Sequence, residues 1–120
     1  MSTITEPLYV GLSKTEWENA QTAGRLPADA QYTASMELAE HVAREHAARD
    51  DAPHGVVAKL DRLSVIAAGG EPQYARLLPL YVPGGFLMSF LHQIENALSF
   101  LLGWYTVPPQ PIVEPDPTTY

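Results

Sequence analysis

The chain has no cysteine among its 120 residues. That excludes a disulfide framework, a thiolate zinc site and a cysteine nucleophile. It also fits a reducing compartment, so the expected location is cytoplasmic. Positive charge is scarce: seven Lys and Arg stand against fourteen Asp and Glu, a formal net charge of -7. Nucleic-acid affinity rests mainly on cations meeting phosphates, so a nucleic-acid partner is not expected. The opening MSTITEPLYV has neither a basic start nor an apolar run, and does not read as a secretory signal. Long unbroken apolar stretches are missing too. The longest tract, residues 86 to 104, is interrupted at its centre by His92, Gln93, Glu95 and Asn96. A spanning helix needs about 20 mostly apolar residues, so no membrane span is expected. Metal-ligand spacing is absent: His41 and His46 lie five apart, whereas two ligands on one helix face want a spacing of about four. No serine sits in a G-x-S-x-G elbow. Neither Gly69-Gly70 nor Gly84-Gly85 is followed by the Lys-Ser/Thr of a phosphate loop. No catalytic residue and no metal ligand is therefore assigned.

What is present is an ordinary globular composition, 46% hydrophobic. A chain of this length buries roughly two-thirds of the surface its unfolded form exposes. The expected organisation is one domain over residues 1–107 and a Pro-rich extended tail over 108–120. Leu8 to Val10 is a short apolar run ahead of Gly11. Ser13 stands three before Glu16, the capping-box spacing, and predicts a helix over 14–23 that stops at Gly24 and Pro27. Residues 31–34 are expected as a short strand, with Ser35 capping a second helix whose apolar stripe is Met36, Ala39, Val42 and Ala43. The stretch GVVAKLDRLSVIA has strand character, and 56–60 is expected as a strand. The apolar run from 75 to 83 contains Pro79, which puts it at an edge or bulge.

From Phe86 the apolar residues fall at helical spacing, predicting a long apolar helix over 86–102. Trp104 to Val107 is expected as a last strand. Prolines at 108, 109, 111, 115 and 117 then favour an extended tail. The expected fold class is α+β, with a small mixed or antiparallel sheet, two short N-terminal helices and the long C-terminal helix. An apolar helix of that kind, with the tail beside it, is the expected face for a protein partner or for self-association.

Tyr9 and Tyr32 each close a short strand just before a serine-capped helix. Two helix N-termini with free N–H groups beside two aromatic rings suit an anionic or dinucleotide ligand. The competing reading is packing at the edge of the core.

The run Leu8-Tyr9-Val10-Gly11-Leu12-Ser13, followed by Trp17, Gly24-Arg25-Leu26, Tyr32-Thr33-Ala34-Ser35, Glu37-Leu38-Ala39 and Val56-Val57, resembles the ADP-ribosyltransferase-like fold. The cadence is closest to the catalytic half of the tRNA 2′-phosphotransferases and small bacterial relatives. Trp104-Tyr105-Thr106-Val107-Pro108-Pro109 is similar to a closing strand of some members. The resemblance implies NAD as a cofactor and a cleft lined by Tyr9, Gly11, Ser13, Tyr32, Thr33 and Ser35. Where the family carries a first-strand histidine, this chain has Val10, whose side chain donates no hydrogen bond. Glu95 aligns with no catalytic motif, and Arg25 and Arg76 are the pocket cations on offer. The implied function is a catalytically degenerate ADP-ribosyltransferase-like domain used for binding or assembly, an acidic accessory protein of viral or mobile-element type. The alternative is an active NAD-dependent ADP-ribosyl- or phosphotransferase.

Overall fold

The computed structural model describes residues 7–27, 30–70, 72–77, 86–90, 94 and 96–109. The chain opens with strand β1 (Leu8–Ser13), which runs directly into helix α1 (Lys14–Ala23). The junction is a capping box. The Ser13 hydroxyl accepts the Glu16 N–H at 3.1 Å, and the Glu16 carboxylate accepts the Ser13 N–H at 2.9 Å. Two donors that the first helical turn leaves open are satisfied this way. The helix ends at Gly24, whose φ of 77° is the left-handed cap that glycine adopts without strain.

Helix α2 (Met36–Arg49) starts where the Ser35 hydroxyl accepts the Leu38 N–H. Strand β2 (Gly55–Leu60) follows, then helix α3 (Arg62–Gly69), strands β3 (Pro72–Leu77) and β4 (Phe86–Phe90), a 3-10 turn at Ala97–Phe100, and strand β5 (Leu101–Val107). The architecture is α+β with antiparallel pairing throughout. β2 is central, flanked by β1 and β5, with Gly11 opposite Val57 and Val57 opposite Tyr105. β3 and β4 form a second ladder.

The strand expected over 31–34 is reduced to two bridging residues, and they join the two sheets. Thr33 exchanges backbone hydrogen bonds with Tyr9, and Tyr32 exchanges them with Met88 of β4. Tyr32-Thr33 therefore fills the gap between β1 and β4.

α2 covers one face of the sheet at close range. A Cβ on Gly11 would sit 2.3 Å from the Ala39 carbonyl oxygen, and one on Gly55 would sit 2.5 Å from that of Ala43. Ala39, Ala43 and Ala47, four apart on α2, are fully buried against this face. The opposite face carries the larger core, where Leu8, Val10 and Leu12 meet Trp17 of α1, Val65 of α3 and Met88 of β4.

Two elements differ from the sequence-based expectation. The long apolar helix expected over 86–102 is not formed by the described residues: 86–90 is a strand, 97–100 a single 3-10 turn, and Leu101-Leu102 opens β5. Leu101 onward runs into Trp, Tyr, Thr and Val, which suit a pleated surface. β2 also offers those residues a second ladder, shifted in register between Lys59 and Leu60, a partner distant in sequence that local periodicity does not register. Second, α3 arises inside a stretch read as strand-like. Asp61 decides it, accepting the Ser64 N–H as the helix cap. Among the described residues no helix is long and apolar enough to cross a membrane. Glu95, His92 and the tail from residue 110 lie outside the described residues.

Candidate functional site

The six residues singled out from the sequence are brought close in backbone and divided by face. Tyr9 and Thr33 pair through hydrogen bonds of 2.8 and 2.9 Å, so the two strand tips do meet. Their aromatic side chains part company. Tyr9 packs in the small cluster under α2 with Val57 and Val107. Tyr32 lies in the larger core on the other side, its ring edge-on to Phe90 at 5.1 Å. Burial pushes the Tyr32 phenol up to about 12. Gly11 faces the backbone of α2. Ser13 and Ser35 cap α1 and α2, and the Thr33 hydroxyl accepts the Ser35 N–H at 3.0 Å. Val10 is buried among apolar side chains. Of the six, Gly11 lines a described hollow, a small one between β1, α2 and the segment after α1, shared with Glu16, Gln31 and His46.

Glu16 is the hub of a polar network that sequence spacing did not reveal beyond its capping role. Its carboxylate meets His46 Nδ1 at 2.8 Å and Arg49 at 3.3 Å, both from the C-terminal half of α2. The Ser13 hydroxyl donates to Asp50 at 2.6 Å, and Arg49 grips the same carboxylate through two nitrogens. Burial pushes the Glu16 carboxyl up. The His46 hydrogen bond, the Ser13 N–H and the nearby His46 and Arg49 charges outweigh it, and the net pKa lies below the usual value. Asp50 is lowered as well, by the hydrogen bonds from Arg49 and then Ser13. The network contains a hydroxyl, an imidazole and two carboxylates, the ingredients of nucleophilic catalysis. Its connectivity is different: His46 is bonded to Glu16, and the fully buried Ser13 hydroxyl is directed at Asp50. As wired, the network clamps α1 to α2. His41, five residues before His46, pairs instead with Glu45 on its own helix at 3.3 Å.

Beside this clamp lies an open hollow of about 420 Å³, lined by Glu16, Asn19, Ala23, Arg25, Leu26 and Pro27. It places one anion and one cation at its rim. Arg76 sits in β3 on the far side of the sheet order. Among the described residues there is no group of His, Asp and Glu that could hold a metal ion.

The other unusual surface is β5. Its outward residues Leu102 and Trp104 are 58% and 50% exposed, large values for such side chains. Trp104 rests one side of its ring on buried Trp17 at 5.4 Å. On the α2 side, the Tyr105 hydroxyl donates to Glu40 at 2.7 Å, and Glu40 also pairs with Arg44. Burial, and then the Glu40 hydrogen bond, raise the Tyr105 phenol well above its ordinary range. Among the described residues β5 has a strand neighbour only in β2.

The described residues form an α+β domain in which β5 is a strand without charged residues. No family model, curated protein or solved structure gives a significant match to the chain.

Proposed function

We propose that this protein is a non-catalytic binding or assembly protein, and that β5 is its working edge. The observation that carries the reading is the combination of a strand without a charged residue or proline, LLGWYTV, with exposed Leu102 and Trp104. Natural sheets usually blunt such edges with charge, proline or cover, and an open edge is a template for strand addition. Four of the six residues that the resemblance assigns to a ligand cleft have structural roles, which supports this reading. Ser13 and Ser35 cap helices, Gly11 is packed on α2, and Tyr32 is buried. The apolar character expected of a helix over 86–102 is thus placed partly on a strand.

The second reading, an NAD-dependent ADP-ribosyl- or phosphotransferase on an ADP-ribosyltransferase-like fold, is favoured by one observation, the direct pairing of Tyr9 with Thr33. Thermal denaturation with millimolar NAD or ADP-ribose separates the two. Ligand at a hundred times its Kd adds about 2.7 kcal/mol of stability, a plain rise in Tm. The binding reading expects no saturable rise, and a saturable one transfers the conclusion to the second reading.

A further inference from the structure

We infer that β5 pairs antiparallel with β5 of a second copy of this chain, about a two-fold axis at Trp104, making a closed homodimer. The inference rests on the reading of the chain as a binding protein and names its partner.

Consider first what the strand could accept from its own chain. After Val107 come Pro108 and Pro109, and prolines recur at 111, 115 and 117. Proline has no N–H to give a ladder, so Pro108 and Pro109 cannot extend the pairing of β5 beyond Val107. A second β5, by contrast, is self-complementary. Centring the pair on Trp104 sets Gly103 opposite Tyr105, Leu102 opposite Thr106 and Leu101 opposite Val107 of the other copy. An aromatic ring across from a glycine is the arrangement that compensates for a bare strand position. The remaining pairs are apolar or β-branched, which stabilise antiparallel ladders. At a net charge of -7 the chain repels copies of itself. β5 contributes no charge to that repulsion, and no like-charged pair stands opposite in this register.

Trp104 and Thr106 stand opposite Ala58 and Val56 of β2, on the side of the sheet that carries the larger core, and both are exposed there; Leu102 is exposed at the register shift beside them. The axis would bring the two Trp104 rings together and withdraw the two Leu102 side chains from water. The pairing also closes. It consumes the β5 edge of each copy, and the outer side of β1 is already bonded to Thr33, which leads on through Tyr32 to β4. An isologous contact of this type gives a dimer and not a filament.

The test is the molar mass of the full chain by size-exclusion with light scattering, on the wild type and two double variants, with circular dichroism confirming that each is folded. Positions 102 and 106 are exposed in the single chain, so both variants are compatible with the fold. The wild type is expected at twice 13.1 kDa. L102K/T106K places lysine opposite lysine at both pairs and is expected at the single mass. L102K/T106E places lysine opposite glutamate and is expected to restore the doubled mass. A single mass for the wild type overturns the inference. Amide exchange then tells whether the edge is open to a different protein or covered by this chain's own ends. A doubled mass that L102K/T106K leaves intact also overturns it, by moving the contact to another surface. These failures leave the binding reading standing, because that reading falls only on a saturable Tm rise with NAD or ADP-ribose.

Discussion

The two ends of the strand order are finished differently. At one end, β1 continues through Thr33 and Tyr32 to β4 and then β3. That last strand carries Pro72 at its start and Arg76 within it, both of which discourage further pairing. At the other end, β5 has neither device, and it shows a tryptophan and a leucine to solvent. The α2 face follows the pattern of the finished end: Gly11 and Gly55 let the helix reach the backbone of the sheet, and a five-residue polar network ties its C-terminal end to α1. One part of the molecule is locked by close packing and reciprocal hydrogen bonds, while the other is left available. Under the proposed function, stability and binding fall to separate residues, which makes them separable by mutation.

The largest effect is expected on the locked side. Gly11→Val drives side-chain carbons into the backbone of α2, where even a Cβ would stand 2.3 Å from Ala39 O and 2.7 Å from Ala43 N. Overpacking of this kind costs on the order of 3 kcal/mol. The urea midpoint should fall steeply, and an unchanged midpoint would mean that α2 is not seated on β1. Ser13→Ala removes a helix cap and the partner of Asp50 together. A loss of about 1–2 kcal/mol is expected, measurable by the same titration.

Acid should loosen the clamp next. Glu16 and Asp50 are both lowered in the folded chain. Such groups contribute stability that is present above their unfolded pKa, about 4, and that is lost as pH falls through the folded value. Denaturant midpoints taken downward from neutral pH should therefore hold level and then drop below about pH 4. Glu16→Gln should lower the plateau and flatten part of that drop; an acid limb identical to the wild type would show that Glu16 is not linked to folding. Smallest of all is Leu102→Lys on the open side. Measured at high dilution, it should change unfolding by no more than about 0.5 kcal/mol, as exposed substitutions usually do. A large loss there would erase the contrast between the two ends.

Legibility followed the range of the interactions. The capping box at Ser13 and Glu16, the cap at Ser35 and the bounds of α1 were readable because each is completed within a few residues. The tract from Phe86 was misread as helix because its apolar spacing satisfies a 3.6-residue period. What settles its conformation is pairing with β3 and β2, far away in the chain. α3 was missed because Val65 and Ile66 have strand character, and a single side chain, Asp61, outweighs them as a cap. Of the candidate site, the sequence suggested a shared cleft at the two strand tips, and it showed neither the pairing of Tyr9 with Thr33 nor the assignment of Tyr9 and Tyr32 to opposite faces. Neighbouring residues in extended backbone point to opposite sides, so once Thr33 pairs with Tyr9, Tyr32 must turn away.

By itself, then, the chain's sequence determined where its first two helices begin, the absence of thiol chemistry, the acidic charge, and a final strand lacking any charged or proline residue. Only the tertiary structure decided that Glu16 would serve His46 and Arg49 as well as its own helix, that Gly11 and Gly55 would be the floor beneath α2, and that β5 would lie at an edge. Caps and composition are local sums. Contacts between residues thirty or more apart exist only after the chain has closed on itself, when backbone donors and half-buried carboxylates find partners wherever the fold brings them.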